Sequence, residues 1–202
     1  MIRRSFVLAG ILAAVAVTAR ASTGSADATI TGTVKVTGRS SNAEVVVYIQ
    51  QVGTFTPPAK PVLMDQKQYQ FIPHVLPILA GATVTFLNSD PTPHNVFSPD
   101  NEKYNLGTWP AGQTKDHTFS KCAKFPCVYT QLCRVHPEME GYIVVLQNPF
   151  FNVSDKNGKY KIENVPPGNY TLAVWHARAK AQLQPVTVEA GKPLTVDFVL
   201  GR

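Results

Sequence analysis

Short runs of alternating apolar and polar residues constrain this chain more than any other feature of its sequence. The runs are rich in β-branched and aromatic residues, and 16 prolines and 13 glycines help to separate them. Almost nothing shows the spacing of an amphipathic helix. The sequence therefore predicts an all-β fold of sandwich or barrel type. The clearest runs are 30–36, 44–49, 83–86, 160–162, 170–175, 186–188 and 194–199.

The first residues have the composition of a secretory signal peptide. Arg3 and Arg4 precede an uncharged apolar run over residues 6–17, and Ala19 and Ala21 form an A-x-A cleavage pattern. The run is shorter than the roughly 20 apolar residues of a membrane-spanning helix. We expect removal of residues 1–21, with cleavage after Ala26 as an alternative, a periplasmic location for the mature protein, and no later membrane span.

The charge balance argues against a nucleic-acid partner. The sequence carries 19 Lys and Arg against 13 Asp and Glu. Removal of residues 1–21 takes away Arg3, Arg4 and Arg20, which leaves 16 basic residues and a net charge of +3. No block of five like charges occurs, and basic residues do not alternate with aromatic ones. Part of the basicity therefore belongs to the predicted export segment.

A loop rich in sulfur and nitrogen donors is the strongest functional signal. Cys133, His136 and Met139 have the spacing C-x2-H-x2-M and directly precede a strand-like run over residues 141–146. A thiolate, an imidazole and a weak thioether belong to the donor set of blue-copper electron-transfer sites, which also use a second His. His94 supplies that second imidazole. The residues thus predict one copper ion that cycles between Cu(II) and Cu(I), held by His94, Cys133, His136 and Met139.

The surrounding segment resembles the cupredoxins. Residues 71–73 read F-I-P, residues 81–90 read G-A-T-V-T-F-L-N-S-D, and residues 94–96 read H-N-V, which is similar to the progression found in that family. The resemblance covers about residues 60–148, and the spacing of the ligand loop is similar to that of amicyanin. The whole chain also resembles periplasmic proteins described as methylamine-utilisation-like.

This resemblance implies a Greek-key β-barrel with a type 1 copper site. It further implies that Asn95 lies beside the ligands, ties the His94 segment to the ligand loop and donates a hydrogen bond near the Cys133 sulfur. The exposed edge of His136 would exchange electrons with a periplasmic redox protein, such as a c-type cytochrome or a dehydrogenase. Two departures stand out, since the nearest aromatic residue, Tyr129, lies four positions before Cys133, and the ligand loop carries charge at Arg134 and Glu138.

The remaining cysteines and histidines are expected to have structural roles. Cys122 and Cys127 are predicted to form a local disulfide, because an exported chain meets an oxidising environment. Additional metal ligation by this pair is the alternative. The other histidines are expected to be surface or strand residues; these are His74, His117 and His176.

The C-terminal third resembles the carboxypeptidase regulatory-like, or transthyretin-like, β-sandwich. The similarity lies in two turns, over residues 154–158 and 165–169, and in the tyrosines that follow them. The first strand pair of that family has its counterpart at residues 30–36 and 45–49. We therefore predict a discontinuous sandwich of residues 27–52 plus 149–202, with a cupredoxin domain of residues 53–148 inserted in it. The alternative is a linear order, in which residues 27–148 form one domain.

The expected function is that of an electron carrier and not of an enzyme, because no catalytic grouping is visible. The alternative is a copper-binding carrier or a non-redox binding module on the same fold. The second sandwich is expected to give structural support, with docking to a protein or glycan as the other possibility.

Overall fold

The computed structural model describes residues 26–50 and 53–201, and these residues contain seventeen strands and no helix. The all-β prediction is confirmed. The predicted signal peptide lies outside the described residues, as do residues 51 and 52 at the predicted domain boundary. The strands are β1 Ala28–Val36, β2 Val46–Ile49, β3 Val62–Lys67, β4 Gln70–Ile72, β5 Val75–Leu79, β6 Thr83–Asn88, β7 His94–Ser98, β8 Tyr104–Trp109, β9 Thr114–Thr118, β10 Cys127–Leu132, β11 Glu140–Leu146, β12 Phe151–Val153, β13 Lys159–Val165, β14 Gly168–His176, β15 Ala179–Val188, β16 Leu194–Thr195 and β17 Phe198–Leu200.

The strands form four sheets. Sheet I has the order β13-β1-β16, with β17 also paired to β1, and sheet II has the order β12-β2-β14-β15. Sheet III has the order β5-β11-β10-β7-β8, and sheet IV has the order β4-β3-β6-β9. Sheets I and II share one apolar core, and sheets III and IV share another. Each pair is therefore a two-layered β-sandwich.

Sheets I and II combine strands from both ends of the described chain. β1 pairs antiparallel with β13, with Ile30 opposite Ile162, and β2 pairs antiparallel with β14, with Val47 opposite Val174. The backbone of β1 approaches the backbone at Val196 closely at Gly32, where a Cβ atom would lie 1.8 Å from the carbonyl oxygen of Val196. This pairing supports our proposal of a discontinuous sandwich over residues 27–52 and 149–202.

Sheets III and IV contain the strands between the two halves of that sandwich. Each sheet contains one parallel strand pair, β5 with β11 in sheet III and β3 with β6 in sheet IV. In sheet III, β10 and β11 form an antiparallel pair that runs from Cys127 opposite Val145 to Leu132 opposite Glu140. Their core contains large fully buried side chains, including Phe71, Phe86 and Trp109. We propose that residues 53–148 form the inserted domain.

The two sandwiches pack against each other through sheets II and III. A third apolar cluster lies between them and contains Val46, Tyr48 and Ala173 from sheet II and Val144 and Leu146 from sheet III, together with Val75. Successive residues of a strand point to opposite faces. All four residues of β2 are buried, because alternate side chains enter the core between sheets I and II and this interface. The four sheets thus form one stack in the order I, II, III, IV.

A disulfide joins Cys122 and Cys127, whose Cα atoms lie 5.8 Å apart. It closes the short loop that leads into β10, and the predicted pairing is confirmed. Cys133 is the free and buried cysteine of the described chain. No helix long and apolar enough to cross a membrane occurs among residues 26–50 and 53–201.

Candidate metal centre

The predicted ligand loop connects two neighbouring antiparallel strands of sheet III. Cys133 is the first residue after β10 and Met139 the last before β11, and both side chains are buried in the core between sheets III and IV. His136 lies between them and is partly exposed. The N–H of Met139 donates a hydrogen bond of 3.0 Å to the carbonyl oxygen of His136. The paired strand ends therefore hold both sulfur residues, while the loop presents the imidazole towards the surface.

His94 reaches the same place from the start of β7. Its Nδ1 lies 3.9 Å from Cys133 Sγ and 2.9 Å from His136 Nδ1, and His136 Nδ1 lies 3.9 Å from the same sulfur. β7 is held beside β10, with Phe97 opposite Leu132. In the described part of the chain, no other three His, Cys, Asp or Glu residues bring their donor atoms this close together.

These residues fit a copper ion. Two imidazole nitrogens and one sulfur converge within a few ångströms, and a buried thioether residue ends the same loop. Copper proteins of the electron-transfer type use two His, one Cys and a weak Met, whereas zinc sites use His, Cys and carboxylates but no thioether. The structure brings His94, Cys133 and His136 together; the role of Met139 as a fourth ligand stays a prediction.

Asp90 fixes the orientation of the His94 ring. It lies in the connection between β6 and β7, and its Oδ2 is 2.8 Å from His94 Nε2, with both side chains buried. Burial would raise the pKa of Asp90, but hydrogen bonds from the N–H groups of Tyr69 and Gln68 and from His94 lower it overall. An ionised carboxylate can only accept hydrogen bonds, so His94 donates through Nε2–H. Its Nδ1 then carries the lone pair that a metal ion needs.

Asn95 connects the His94 segment to both neighbouring parts of the site. Its backbone N–H donates a hydrogen bond of 3.3 Å to Cys133 Sγ. Its side-chain oxygen accepts a hydrogen bond of 3.4 Å from the N–H of Arg134, and its amide nitrogen donates to Asn105 Oδ1 and to the carbonyl oxygen of Gly107. The hydrogen bond to the sulfur is made by the main chain and does not require Asn. The Asn side chain is needed for the contacts to Arg134, Asn105 and Gly107.

Tyr69 is a part of the site that sequence reasoning did not find. Its ring meets the ring of His136 edge-on at a centroid distance of 4.8 Å and that of His94 at 5.7 Å. Tyr69 belongs to the turn between β3 and β4 in sheet IV, whereas both histidines belong to sheet III or its loop. Asp90 belongs to the cupredoxin-like pattern over residues 81–90, and its position four residues before His94 is the sequence signal for its role. The sequence contains no comparable signal for Tyr69.

The two charged residues of the ligand loop are exposed. Glu138 faces solvent, and the guanidinium of Arg134 lies 5.0 Å from the centre of the Phe97 ring. They therefore lie on the surface around the ligand cluster and not within it.

The other histidines lie in separate environments. His74 is half-exposed and pairs with Glu44 at 3.0 Å, and His117 on β9 pairs with Glu102 at 2.8 Å. His176 ends β14 and is buried. These placements agree with surface or strand roles, except that His176 is more buried than a surface residue.

A family model matches the C-terminal part of the chain. Residues 139–201 match the family model of the carboxypeptidase regulatory-like domain. The match begins before the predicted boundary at residue 149 and includes β11, although β11 pairs with β5 and β10 of sheet III. No curated protein sequence matches the chain significantly.

Solved copper proteins are similar to part of the chain. A copper-containing nitrite reductase from Thermus scotoductus SA-01 is 28% identical, with a TM-score of 0.41, over 50% of this chain and 25% of the reductase. A reduced amicyanin variant is 23% identical, with a TM-score of 0.39, over 49% of this chain and 97% of amicyanin. A purple cupredoxin from Nitrosopumilus maritimus is 26% identical, with a TM-score of 0.36, over 42% of this chain and 98% of that protein.

The sheet arrangement and the family match agree on the general class of this protein. Sheets I and II contain most of the strands that the family model covers, and sheets III and IV carry the His94, Cys133 and His136 cluster. The chain is an all-β protein of two sandwiches. The carboxypeptidase regulatory-like family model matches the C-terminal part of one sandwich, and the other carries the His94, Cys133 and His136 cluster.

Proposed function

We propose that this protein is a type 1 (blue) copper protein that carries electrons in the periplasm. The observation that carries the proposal is the convergence of His94 Nδ1, Cys133 Sγ and His136 Nδ1 from two separate segments of one sandwich. A bound copper ion would supply reversible one-electron chemistry between Cu(II) and Cu(I). We infer that Met139 would supply a weak thioether ligand to the copper ion, because it is buried at the end of the same loop.

Hydrogen bonds within the protein hold two of the candidate donor residues in position. Asp90 orients His94, and the Asn95 N–H lies against the sulfur of Cys133. Hydrogen bonds of this kind around the ligands tune affinity and reduction potential. Because the donors are anchored on paired strands in a buried core, they can remain in place when the charge of the site changes. Such rigidity suits electron transfer, which is fast when little rearrangement is needed.

His136 is the ligand through which we propose that electrons enter and leave. His94 is fully buried and Cys133 is 2% exposed, whereas His136 is partly exposed. A redox partner that docks over the ligand loop can therefore approach His136 more closely than the other donors. We propose that this partner is a periplasmic redox protein, such as a c-type cytochrome or a dehydrogenase. The disulfide between Cys122 and Cys127 supports an oxidising compartment.

Spectroscopy of the purified protein tests the proposal. Protein without residues 1–21 and with one equivalent of Cu(II) should show an intense thiolate-to-copper absorption and a type 1 EPR spectrum. Cys133→Ser should abolish the absorption, because a hydroxyl is a poor copper ligand, whereas Met139→Leu should retain the colour and shift the potential. His117→Asn, away from the cluster, serves as the control and should leave both signals unchanged.

The same measurements separate the proposal from the alternatives. Tight Cu(I) binding without an intense colour would favour a copper-binding carrier. Failure to bind copper at all would favour a non-redox binding module. A Cys133→Ser variant that remains blue would show that the sulfur is wrongly assigned.

A further inference from the structure

The turn between β3 and β4 has an unfavourable backbone conformation. Its two residues, Gln68 and Tyr69, have φ angles of 54° and 59°. Two-residue hairpin turns of this type are normally made by Asn and Gly, because most side chains crowd the backbone when φ is positive. A bulky aromatic residue in this region is a genuine outlier. Such conformations persist where the surrounding structure imposes them, and they are often found at functional sites.

The surrounding structure imposes this turn through Asp90. The carboxylate accepts hydrogen bonds from the backbone N–H groups of Gln68 at 2.6 Å and of Tyr69 at 2.9 Å. The same carboxylate bonds to His94 Nε2. One buried group therefore connects the turn of sheet IV to a candidate metal ligand of sheet III.

The result is that the Tyr69 ring lies over the candidate metal centre. Its centroid is 4.8 Å from that of His136 and 5.7 Å from that of His94, both in edge-on contact. Tyr69 is 45% exposed, so part of it faces solvent while its ring meets the two imidazoles. The ring is in contact with His136, the donor residue that is accessible from outside.

We propose that Tyr69 closes the metal centre against solvent and external ligands. This inference rests on the proposed function, since it assumes that His94, Cys133 and His136 hold copper. Any backbone can form the hydrogen bonds to Asp90, so the turn alone does not need a tyrosine. The aromatic side chain at this strained position is explained by the histidine pair that it covers.

Copper release to a chelator tests this role. The variants are Tyr69→Asn and Tyr69→Phe, with Gln68→Asn as a matched control in the same turn. Each protein is loaded with Cu(I) and mixed with excess bicinchoninate, and formation of the coloured complex is followed in time. Thermal unfolding of the metal-free variants shows whether each is folded. Asn tolerates positive φ well, so both Asn variants should remain folded.

Tyr69→Asn should release copper about tenfold faster than the wild type, because two edge-to-face ring contacts and the cover are lost. Tyr69→Phe, which keeps the ring, and Gln68→Asn, which relieves strain without touching it, should release copper at the wild-type rate. Equal rates for Tyr69→Asn and wild type would overturn the inference while leaving the copper site intact. Equal acceleration by Gln68→Asn would also overturn it, since the turn and not the ring would then control release. A wild type that binds no copper would defeat the proposed function itself.

Discussion

Asp90 and His94 are joined by a buried hydrogen bond of 2.8 Å between Oδ2 and Nε2. This bond orients the imidazole so that Nδ1 faces Cys133 and His136. It also links the metal centre to the β3–β4 turn, because the same carboxylate accepts two hydrogen bonds from that turn. Asp90 therefore acts on the site through other residues and is a positioning residue.

Asp90→Asn should lower copper affinity by about 10- to 100-fold, the usual effect of removing a partner of a metal-ligating histidine. The amide of Asn accepts hydrogen bonds from the N–H groups of Gln68 and Tyr69 less strongly than the carboxylate does. The substitution also removes the negative charge beside His94. Competitive titration with a copper chelator measures the change. Asp116→Asn is the control, since Asp116 is an exposed residue of β9 that bonds to Thr85. Equal affinities of Asp90→Asn and wild type would contradict the assigned role.

His176 should make the protein less stable in mild acid. Burial, Arg39, Arg178 and His74 lower its pKa, with Glu44 acting in the opposite direction. The folded state thus binds a proton less readily than the unfolded state. The stabilising effect of the neutral ring is complete above the unfolded pKa of about 6.5 and is lost as the pH falls below it.

Urea unfolding of wild type and His176→Gln at pH 7.5, 6.5 and 5.5 tests this effect. One proton contributes a slope of at most about 1.4 kcal/mol per pH unit to the free energy of unfolding. The wild type should therefore lose more stability than the variant between pH 6.5 and 5.5. Parallel pH profiles of the two proteins would show that His176 does not titrate as expected.

The interface between sheets II and III should make the two sandwiches unfold together. Leu146 is 2% exposed within this interface, and Leu146→Ala should lower the free energy of unfolding by about 2–5 kcal/mol. Calorimetry should give a single transition for the wild type, which copper raises as a whole. Val199→Ala is the control, because Val199 is 60% exposed. Two wild-type transitions, of which copper moves only one, would mean that the sandwiches unfold independently.

Thiol labelling should find one free cysteine. Cys122 and Cys127 form a disulfide, and Cys133 is 2% exposed. Metal-free protein that is alkylated without reductant should therefore resist labelling while folded and take up one label at Cys133 after unfolding. Mass spectrometry of the peptides identifies the labelled position. Two or three labels in unfolded protein would contradict the disulfide.

The local features of the site could be predicted from the sequence. Cys133, His136 and Met139 lie on one loop because seven consecutive residues between two paired strands cannot separate far. The strand pattern likewise predicted an all-β fold, since side-chain alternation is a property of each strand alone. His94 was found because its sequence neighbours resemble those of a known family and because the donor set required a second imidazole.

Only the tertiary structure decided which distant residues complete the site and how the sheets stack. Tyr69 contacts both histidines from the opposite sheet, and no local spacing connects it to His94 or to the ligand loop. Asp90 lies four residues before His94, but its bonds to the β3–β4 turn are tertiary contacts. The uninterrupted apolar runs over residues 45–49 and 143–146 required burial on both faces, but not a particular partner. Hydrophobic burial is non-directional, so the sequence determined which residues must leave water. The packing of the four sheets determined which apolar surfaces these residues contact.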